Sequence, residues 1–282
     1  MGKPDYFGKK VITPVIFLCL IIGGFFYFRY LEKERRTFKV VFMNVGQGDA
    51  ALINFDDGQK ILVDCGPDRG ILSALGRNTA FYDRTIDYLI VTHPDLDHYG
   101  GCIDVLKNYD VKKVLVNGDD KKGDPFYVEW KTALLKKEVE VASTSTIISI
   151  DSARFVFFLP DRTLPFKKID TNDNSIVFRL QHGRESFLFT GDIGIEAEEL
   201  LVNKYCAGKI ACPLHSDVLK VAHHGSDGSS GESFLAKVAP RRALISVGKN
   251  KFGHPSLRAT RHLERAGAEI SRTDEAGDII IK

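Results

Sequence analysis

The sequence of 282 residues is 44% hydrophobic, which is enough for one large domain with a substantial core or for two small ones. Its 39 basic and 37 acidic residues leave a net charge of only +2, which argues against a generally basic nucleic-acid-coating protein but allows a local cationic groove. The five cysteines are scattered and predict no disulfide framework, and the spacing of Cys206, Cys212 and His215 does not favour a zinc knuckle.

The N-terminal segment predicts a membrane anchor. Residues 11–30 are apolar over about the twenty positions that a helix needs to cross a bilayer. No small-residue cleavage site follows, so an uncleaved single-pass anchor is expected, with a buried core helix as the alternative. Basic residues lie on both sides, and the side of the membrane that holds the rest of the chain stays open. We therefore divide the chain into a tail, anchor and linker at 1–36 and a second domain at 37–282.

The first strands of that domain lead to a cluster of metal-binding residue types. Strands are predicted at 38–43, 50–55 and 60–63, with Asp57-Gly58 as a hairpin turn, and a helix at 71–75 precedes an apolar strand at 88–91. That strand runs into four donors within six residues: His93, Asp95, Asp97 and His98. A loop at the end of a buried strand lets such side chains converge on one point. Imidazole and carboxylate donors suit zinc, manganese or iron(II), and a solvated polar loop is the alternative.

The remaining elements predict one α/β domain. Helices are expected at 103–106, 126–137 and 195–205, and strands at 113–117, 138–142, 146–150 and 154–159. A hairpin over 175–190 ends at Asp192, and a strand at 218–222 delivers His223 and His224. Helices and strands then alternate to the C-terminus. Two similar halves of mixed strands and helices favour two sheets face to face with helices outside.

Several of these stretches together resemble a known family. Thr92-His-Pro-Asp-Leu-Asp-His-Tyr-Gly-Gly101 resembles the His-x-His-x-Asp-His signature of the metallo-β-lactamase fold, with Asp95 in place of the second histidine. That variant is similar to the hydrolase domain of ComEC-type DNA-uptake (competence) proteins. The same resemblance covers, in order, Asn44–Ala50, Val63–Gly66, Asn172–Val177, Thr190–Asp192, Ala222–Ser226 and Gly253–Pro255. It runs from about Phe38 to the C-terminus and implies an αββα four-layer sandwich.

The resemblance implies a centre for two divalent metal ions. His93 and Asp95 would bind one ion, Asp97 and His98 the other, and Asp192 would bridge both. One residue of the His223-His224 pair would complete the second site, and the family pattern favours His224. His223, with Asp97 as a further catalytic residue, would then act on the substrate, although the two histidines are exchangeable at this stage. Asp64 would orient the metal loop through hydrogen bonds.

Two departures from the lactamase pattern affect the metal chemistry. Asp95 replaces an imidazole with a carboxylate, and Asn174 stands where a further histidine is expected. The first site is therefore rich in oxygen and short of one ligand. Manganese becomes plausible beside zinc, and one of the two sites is expected to bind its ion weakly.

Residues near the C-terminus suit substrate binding. Lys249, Lys251 and His254 precede a predicted helix start, where backbone amides and cations together bind phosphate. Asn174 and Ser226 are assigned to substrate binding by the motifs they belong to. The alternative for both lysines is ordinary solvated loop charge.

Three functions remain in competition. The first is a membrane-anchored, metal-dependent phosphodiesterase, in particular a nuclease acting on DNA, because two adjacent metal ions suit phosphodiester hydrolysis. The second is a phosphorylcholine esterase or a β-lactamase-like metallohydrolase. The third is a non-catalytic, membrane-tethered domain that keeps a metal for stability. The resembled competence proteins carry a multi-span channel, which is not visible in this sequence, so a role in uptake is expected to need a separate channel as partner.

Overall fold

Two β-sheets form the centre of the molecule. The computed structural model describes residues 16–27, 37–121, 123–150, 152–165 and 171–282. The first sheet has seven strands in the order β13-β1-β2-β3-β4-β5-β6. Their bounds are β1 Lys39–Phe42, β2 Ala51–Asn54, β3 Lys60–Val63, β4 Thr85–Val91, β5 Asp110–Val116, β6 Glu138–Val141 and β13 Ile279–Ile281. The second sheet has six, in the order β12-β11-β10-β9-β8-β7. These are β7 Arg154–Leu159, β8 Val177–His182, β9 Glu185–Phe189, β10 Val218–Lys220, β11 Arg242–Ile245 and β12 Glu269–Arg272.

Both sheets are mixed, and the direction of their parallel strands explains why the loops that follow these strands lie at one edge of each sheet. Strands β3 to β6 run parallel, as do β9 to β12, whereas the remaining neighbours pair antiparallel. Parallel pairing requires a crossover on a sheet face, and helices supply it here. The carboxyl ends of parallel strands therefore lie at one edge of each sheet.

The described residues form α-helices, several of which cover the outer faces of the two sheets. The helices are α1 at 16–27, α2 Gly70–Asn78, α3 Leu96–Tyr99, α4 Cys102–Asn108, α5 Pro125–Leu134, α6 Ile195–Tyr205, α7 Glu232–Val238, α8 Leu257–Arg265 and α9 Thr273–Ala276. One apolar cluster joins the first sheet to α2, α4 and α5, and another joins the second sheet to α6, α7 and α8. A third cluster lies between the sheets, where Phe178 stacks on Phe189 with ring centroids 4.7 Å apart. The predicted four-layer α/β sandwich is confirmed.

The structure overturns the expectation that the cysteines form no disulfides. Cys65 is bonded to Cys102, and Cys206 is bonded to Cys212. The second bond also removes both sulfurs of the zinc knuckle that the sequence already disfavoured. The pairing of Cys65 with Cys102 depends on tertiary packing, since 37 positions of chain separate them. The strand predicted at 146–150 is likewise absent, and those residues have no regular secondary structure.

The predicted anchor is described only in its central part. Residues 16–27 are helical and exposed, while 11–15 and 28–30 lie outside the described residues. Within the described ranges, no helix is both long enough and apolar enough to span a bilayer.

Candidate metal centre

The loops after several strands bring together one group of carboxylates and imidazoles, all of them buried except the partly exposed Asp97. The segment after β4 carries His93 and enters α3, whose single turn carries Asp97 and His98. The turn after β9 carries Asp192, and a 3₁₀ turn over Ala222–Gly225 follows β10. Their ligand-capable atoms form overlapping groups within 4.8 Å: His93, His98 and Asp192 in one, and Asp97, His98 and His224 in another.

Asp192 belongs to the first group and also lies next to His224 of the second. Its Oδ2 is 3.3 Å from Nε2 of His98 and 3.4 Å from Nε2 of His224. Nε2 of His224 is also 3.2 Å from Oδ2 of Asp97. A carboxylate in this position can contact an ion on either side of it, which is the geometry that the predicted bridging role requires.

The buried donor atoms fit a cation. Nε2 of His93, Nε2 of His98 and Oδ1 of Asp192 are buried and have no hydrogen-bond partner among the described residues. Most buried polar side-chain atoms in proteins are partnered, so three unsatisfied atoms in one cluster call for an explanation. A divalent ion would satisfy all three, and nitrogen and oxygen donors suit zinc or manganese.

Hydrogen bonds on the far side of the imidazoles fix their orientation. Asp64, in the left-handed region with φ 57°, accepts from the backbone and hydroxyl of Thr92 at 2.8 Å each, and its Oδ2 is 2.9 Å from Nδ1 of His98. Nδ1 of His224 is 2.9 Å from the carbonyl oxygen of Ser246. Both rings therefore direct Nε2 towards the cluster, the arrangement in which an outer partner orients a metal-binding imidazole.

The carboxylates also decide the charge of the imidazoles. Burial opposes protonation of His224, but Asp192 and Asp49 outweigh it and raise the pKa of His224 to about 10. Asp192 and Asp64 likewise raise the pKa of His98 well above its ordinary value despite burial. Burial together with the charge of His98 holds the pKa of His93 well below its ordinary value. The carboxylates around His98 and His224 thus favour the positively charged form of each ring.

Asp49 and Lys220 belong to the centre, although the sequence did not assign either to it. Asp49 is 4% exposed and groups with Asp192 and His224, and its Oδ1 is 3.4 Å from Nδ1 of His224. Its Oδ2 forms an ion pair with the equally buried Lys220, whose Nζ is 3.7 Å from Oδ1 of Asp192. The sequence signal for Asp49 was its place in the stretch Asn44–Ala50, which carries the family resemblance. Gly48 beside it has φ +141°, and a Cβ there would lie 2.4 Å from the carbonyl oxygen of Asp97.

Two predicted site residues have other partners. Asp95 is absent from the donor groups of the described residues, and its Oδ1 accepts from Lys121 at 2.8 Å. Asn174 donates through Nδ2 to Oδ1 of Asp119 at 2.7 Å. Desolvation of Asp119 raises the pKa of that carboxyl. The structure thus does not bring Asp95 or the side chain of Asn174 to the centre, and their roles at it stay predictions.

The adjacent histidines of the 3₁₀ turn face different surroundings. His223 and His224 have φ of 49° and 52°, a conformation that costs free energy for residues with a Cβ. His224 is 2% exposed and lies in the donor cluster. His223 is half-buried, is absent from the donor groups of the described residues, and has its ring centroid 5.5 Å from that of His254.

The loop after this turn is held by a buried carboxylate. Glu198 on α6 accepts from the backbone amides of Ser230 and Gly231 at 2.7 Å each. Burial raises the pKa of Glu198 to about 7 in spite of these bonds. Because the folded pKa exceeds the unfolded one, the folded protein binds more protons between about pH 4.5 and 7. The free energy of unfolding therefore falls as the pH rises through this range.

The residues predicted to bind substrate lie on two loops. Ser226 is buried in the loop after the 3₁₀ turn, where its Oγ accepts from the amide of Gly228 at 3.2 Å. Lys249 and Lys251 are exposed in the loop before α8, and His254 is partly buried in that loop. The ring of His254 is 6.4 Å from that of His224, so this loop borders the donor cluster.

Comparisons with known proteins agree with this geometry. The profile of the metallo-beta-lactamase superfamily matches residues 43–249. ComE operon protein 3 of Bacillus subtilis is 29% identical over 289 residues, covering 93% of this chain and 34% of that protein. Competence protein ComA of Neisseria gonorrhoeae is 30% identical over 263 residues, covering 92% of this chain and 34% of that protein. The chain thus spans about a third of the length of these relatives.

Solved structures share the fold at low sequence identity. The metallo-beta-lactamase fold protein YhfI from Bacillus subtilis superposes with a TM-score of 0.55 at 12% identity, over 87% of this chain and 99% of that one. A diphosphatase from the PhnP family superposes with a TM-score of 0.51 at 14% identity, over 86% and 97% of the two chains.

Proposed function

Because the chain belongs to the metallo-beta-lactamase superfamily, whose members are generally metal-dependent hydrolases, we propose that it is a membrane-anchored phosphodiesterase that cuts DNA. The observation that carries this proposal is the pair of overlapping donor groups that share His98, with Asp192 of the first group 3.4 Å from His224 of the second. Two adjacent cation sites suit phosphodiester hydrolysis, because one ion can activate the attacking water and the other can compensate the charge on the leaving oxygen.

The residues divide into those that hold ions and those that act on substrate. His93, His98, Asp97, Asp192 and His224 would hold the ions, and Asp49 is placed to join them. Bound divalent ions supply Lewis acidity and compensate charge on the phosphate. His223 lies outside the donor groups of the described residues and next to His254, so in this proposal it gives a proton to the leaving oxygen. Lys249, Lys251 and His254 bind the phosphates that flank the scissile bond.

The names of the relatives support DNA as the substrate. One of them is called competence protein ComA, another ComE operon protein 3, and a third, from Haemophilus influenzae, is called recombination protein 2. A role in DNA uptake would need a channel, which we propose is a separate component. The metal in this proposal is zinc or manganese, with the site at His93 the weaker of the two.

We further propose that the hydrolase domain lies outside the cytoplasm, tethered by residues 11–30. The two disulfides support this location, because disulfides persist in oxidising compartments and are rare in the cytosol.

The test is hydrolysis by the full chain loaded with Mn²⁺ or Zn²⁺. The substrates are single-stranded DNA, duplex DNA, a chromogenic phosphodiester and a β-lactam. We expect cleavage of DNA and of the diester, and loss of both with Asp192→Asn. The matched control is Asp217→Asn, which changes a carboxylate at the opposite end of β10 that bonds Ser186. Cleavage of the β-lactam alone, or DNA cleavage that survives Asp192→Asn, would contradict the proposal.

A further inference from the structure

One exposed aromatic side chain stands at the rim of the candidate metal centre. Phe252 is 63% exposed in the loop before α8. Its ring centroid is 5.6 Å from that of His254, and Nζ of Lys251 lies 5.8 Å from the ring centroid. Aromatic side chains that face solvent beside cationic groups are the platforms on which single-strand-binding proteins stack bases.

The loop that carries Phe252 is built to hold it in place. Asn250 donates through Nδ2 to the carbonyl oxygens of Gly248 and His254 at 2.9 and 2.8 Å. Its Oδ1 accepts from the amides of Phe252 and His254 at 3.0 and 3.1 Å. One side chain thus uses both of its donor hydrogens and its acceptor oxygen within a single short loop, so the outward position of Phe252 is preorganised.

The same loop is tied to the metal loop. Gly248 lies so close to the neighbouring glycine loop that a Cβ would be 2.4 Å from the carbonyl carbon of Gly46. That loop in turn joins the metal loop, since the amide of Asp49 donates to the carbonyl oxygen of Asp97 at 3.1 Å. The position of Phe252 relative to the cation sites is therefore set by backbone packing.

Distance and charge both suit a nucleic acid strand. Ring-to-ring steps of 5.6 Å from Phe252 to His254 and 6.4 Å from His254 to His224 place the phenyl ring within about 12 Å of the donor cluster. A base about one or two nucleotides from the phosphate at the centre can reach that ring. The stretch from residue 248 to 258 carries Lys249, Lys251 and Arg258 and no acidic residue, which complements a phosphate backbone.

We infer that Phe252 is a stacking platform for an unpaired base, so that the enzyme prefers single-stranded nucleic acid. The inference rests on the proposed phosphodiesterase function and adds to it the form of the substrate. Bases in a duplex are already stacked on each other and present only their edges, whereas a single strand offers a free face to an aromatic ring. Stacking is indifferent to the identity of the base, so little sequence preference is expected.

The experiment compares Phe252→Ala with the full-length wild-type protein on two strands of equal length. One is a fluorescein-labelled thymidine oligonucleotide, and the other has the same backbone with abasic sites. Binding is followed by fluorescence anisotropy in chelator, so that no strand is cut, and KM and kcat are measured with Mn²⁺. We expect Phe252→Ala to weaken binding of the thymidine strand by about tenfold, to raise KM more than it lowers kcat, and to affect the abasic strand much less.

The control variant is Phe81→Ala. Phe81 is 84% exposed and precedes β4, so the length of that seven-residue strand places it about 20 Å from the metal loop. Phe81→Ala should leave binding of the thymidine strand and of the abasic strand unchanged. Equal losses on thymidine and abasic strands would overturn the inference, as would a change of oligomeric state in Phe252→Ala with unchanged binding. Hydrolysis of a base-free diester reports separately on the proposed function, and the anisotropy comparison stands even if no substrate is cut.

Discussion

The Cys65–Cys102 disulfide should stabilise both the fold and the metal loop. It joins the segment after Asp64 to the start of α4, and the amide of Cys65 donates to the carbonyl oxygen of His98 at 2.8 Å. The second disulfide, Cys206–Cys212, closes a short stretch at the end of α6. The two bonds therefore offer a matched pair, one next to the predicted ligands and one elsewhere.

The expected losses follow from the lengths of the closed loops. The sequence separations are 37 and 6 residues. Loop-closure entropy of the unfolded chain then gives about 4 kcal/mol for the first bond and about 2 kcal/mol for the second. The double variant Cys65→Ala/Cys102→Ala should accordingly lose about twice as much free energy of unfolding as Cys206→Ala/Cys212→Ala.

The assay is urea denaturation of the metal-free proteins, followed by titration of each with Mn²⁺ or Zn²⁺. Only the first double variant should bind the ion more weakly, because only that bond holds the loop bearing His98. Treating the wild type with a thiol reductant should reproduce both the loss of stability and the weaker metal binding. Equal stability losses in the two variants, or unchanged metal affinity in Cys65→Ala/Cys102→Ala, would refute this reasoning.

Three further predictions concern the centre and the loop next to it. His224→Ala should lower the metal content measured by elemental analysis. His223→Ala should keep the metal and lose about 10²–10⁴-fold in kcat for diester hydrolysis. The reverse pattern would exchange the roles of the two histidines. Lys220→Met should lower the free energy of unfolding by about 3–5 kcal/mol, because it leaves the Asp49 carboxylate buried without its cation. The double variant Lys220→Met/Asp49→Asn should regain most of that loss. If denaturation shows that the losses of the two single variants simply add, the two residues are not coupled. As the pH rises from about 4.5 to 7, the free energy of unfolding of the wild type should fall by about 3 kcal/mol relative to that of Glu198→Gln. Parallel curves of stability against pH for the two proteins would show that the Glu198 carboxyl does not titrate in this range.

The sequence alone predicted the α/β fold and a cluster of metal-binding residue types, partly from local patterns and partly from the family resemblance. Buried strands such as β4 appear as continuous apolar runs, and the donors His93, Asp97 and His98 follow within one turn of chain. Such signals are local, so periodicity and spacing are enough to reveal them. Asp192 and the His223-His224 pair were predicted because each follows a predicted strand and lies in a motif that carries the family resemblance.

Only the tertiary structure decided which distant groups meet. Asp49 and Lys220 are 171 positions apart in chain order, yet they form a buried ion pair beside Asp192. The partners of Asp95 and Cys65 were equally invisible in the sequence. Each of these contacts depends on how separate loops pack against one another, and no local pattern of hydrophobicity or propensity encodes that. A carboxylate binds an ion or a lysine according to which of them the fold brings within reach.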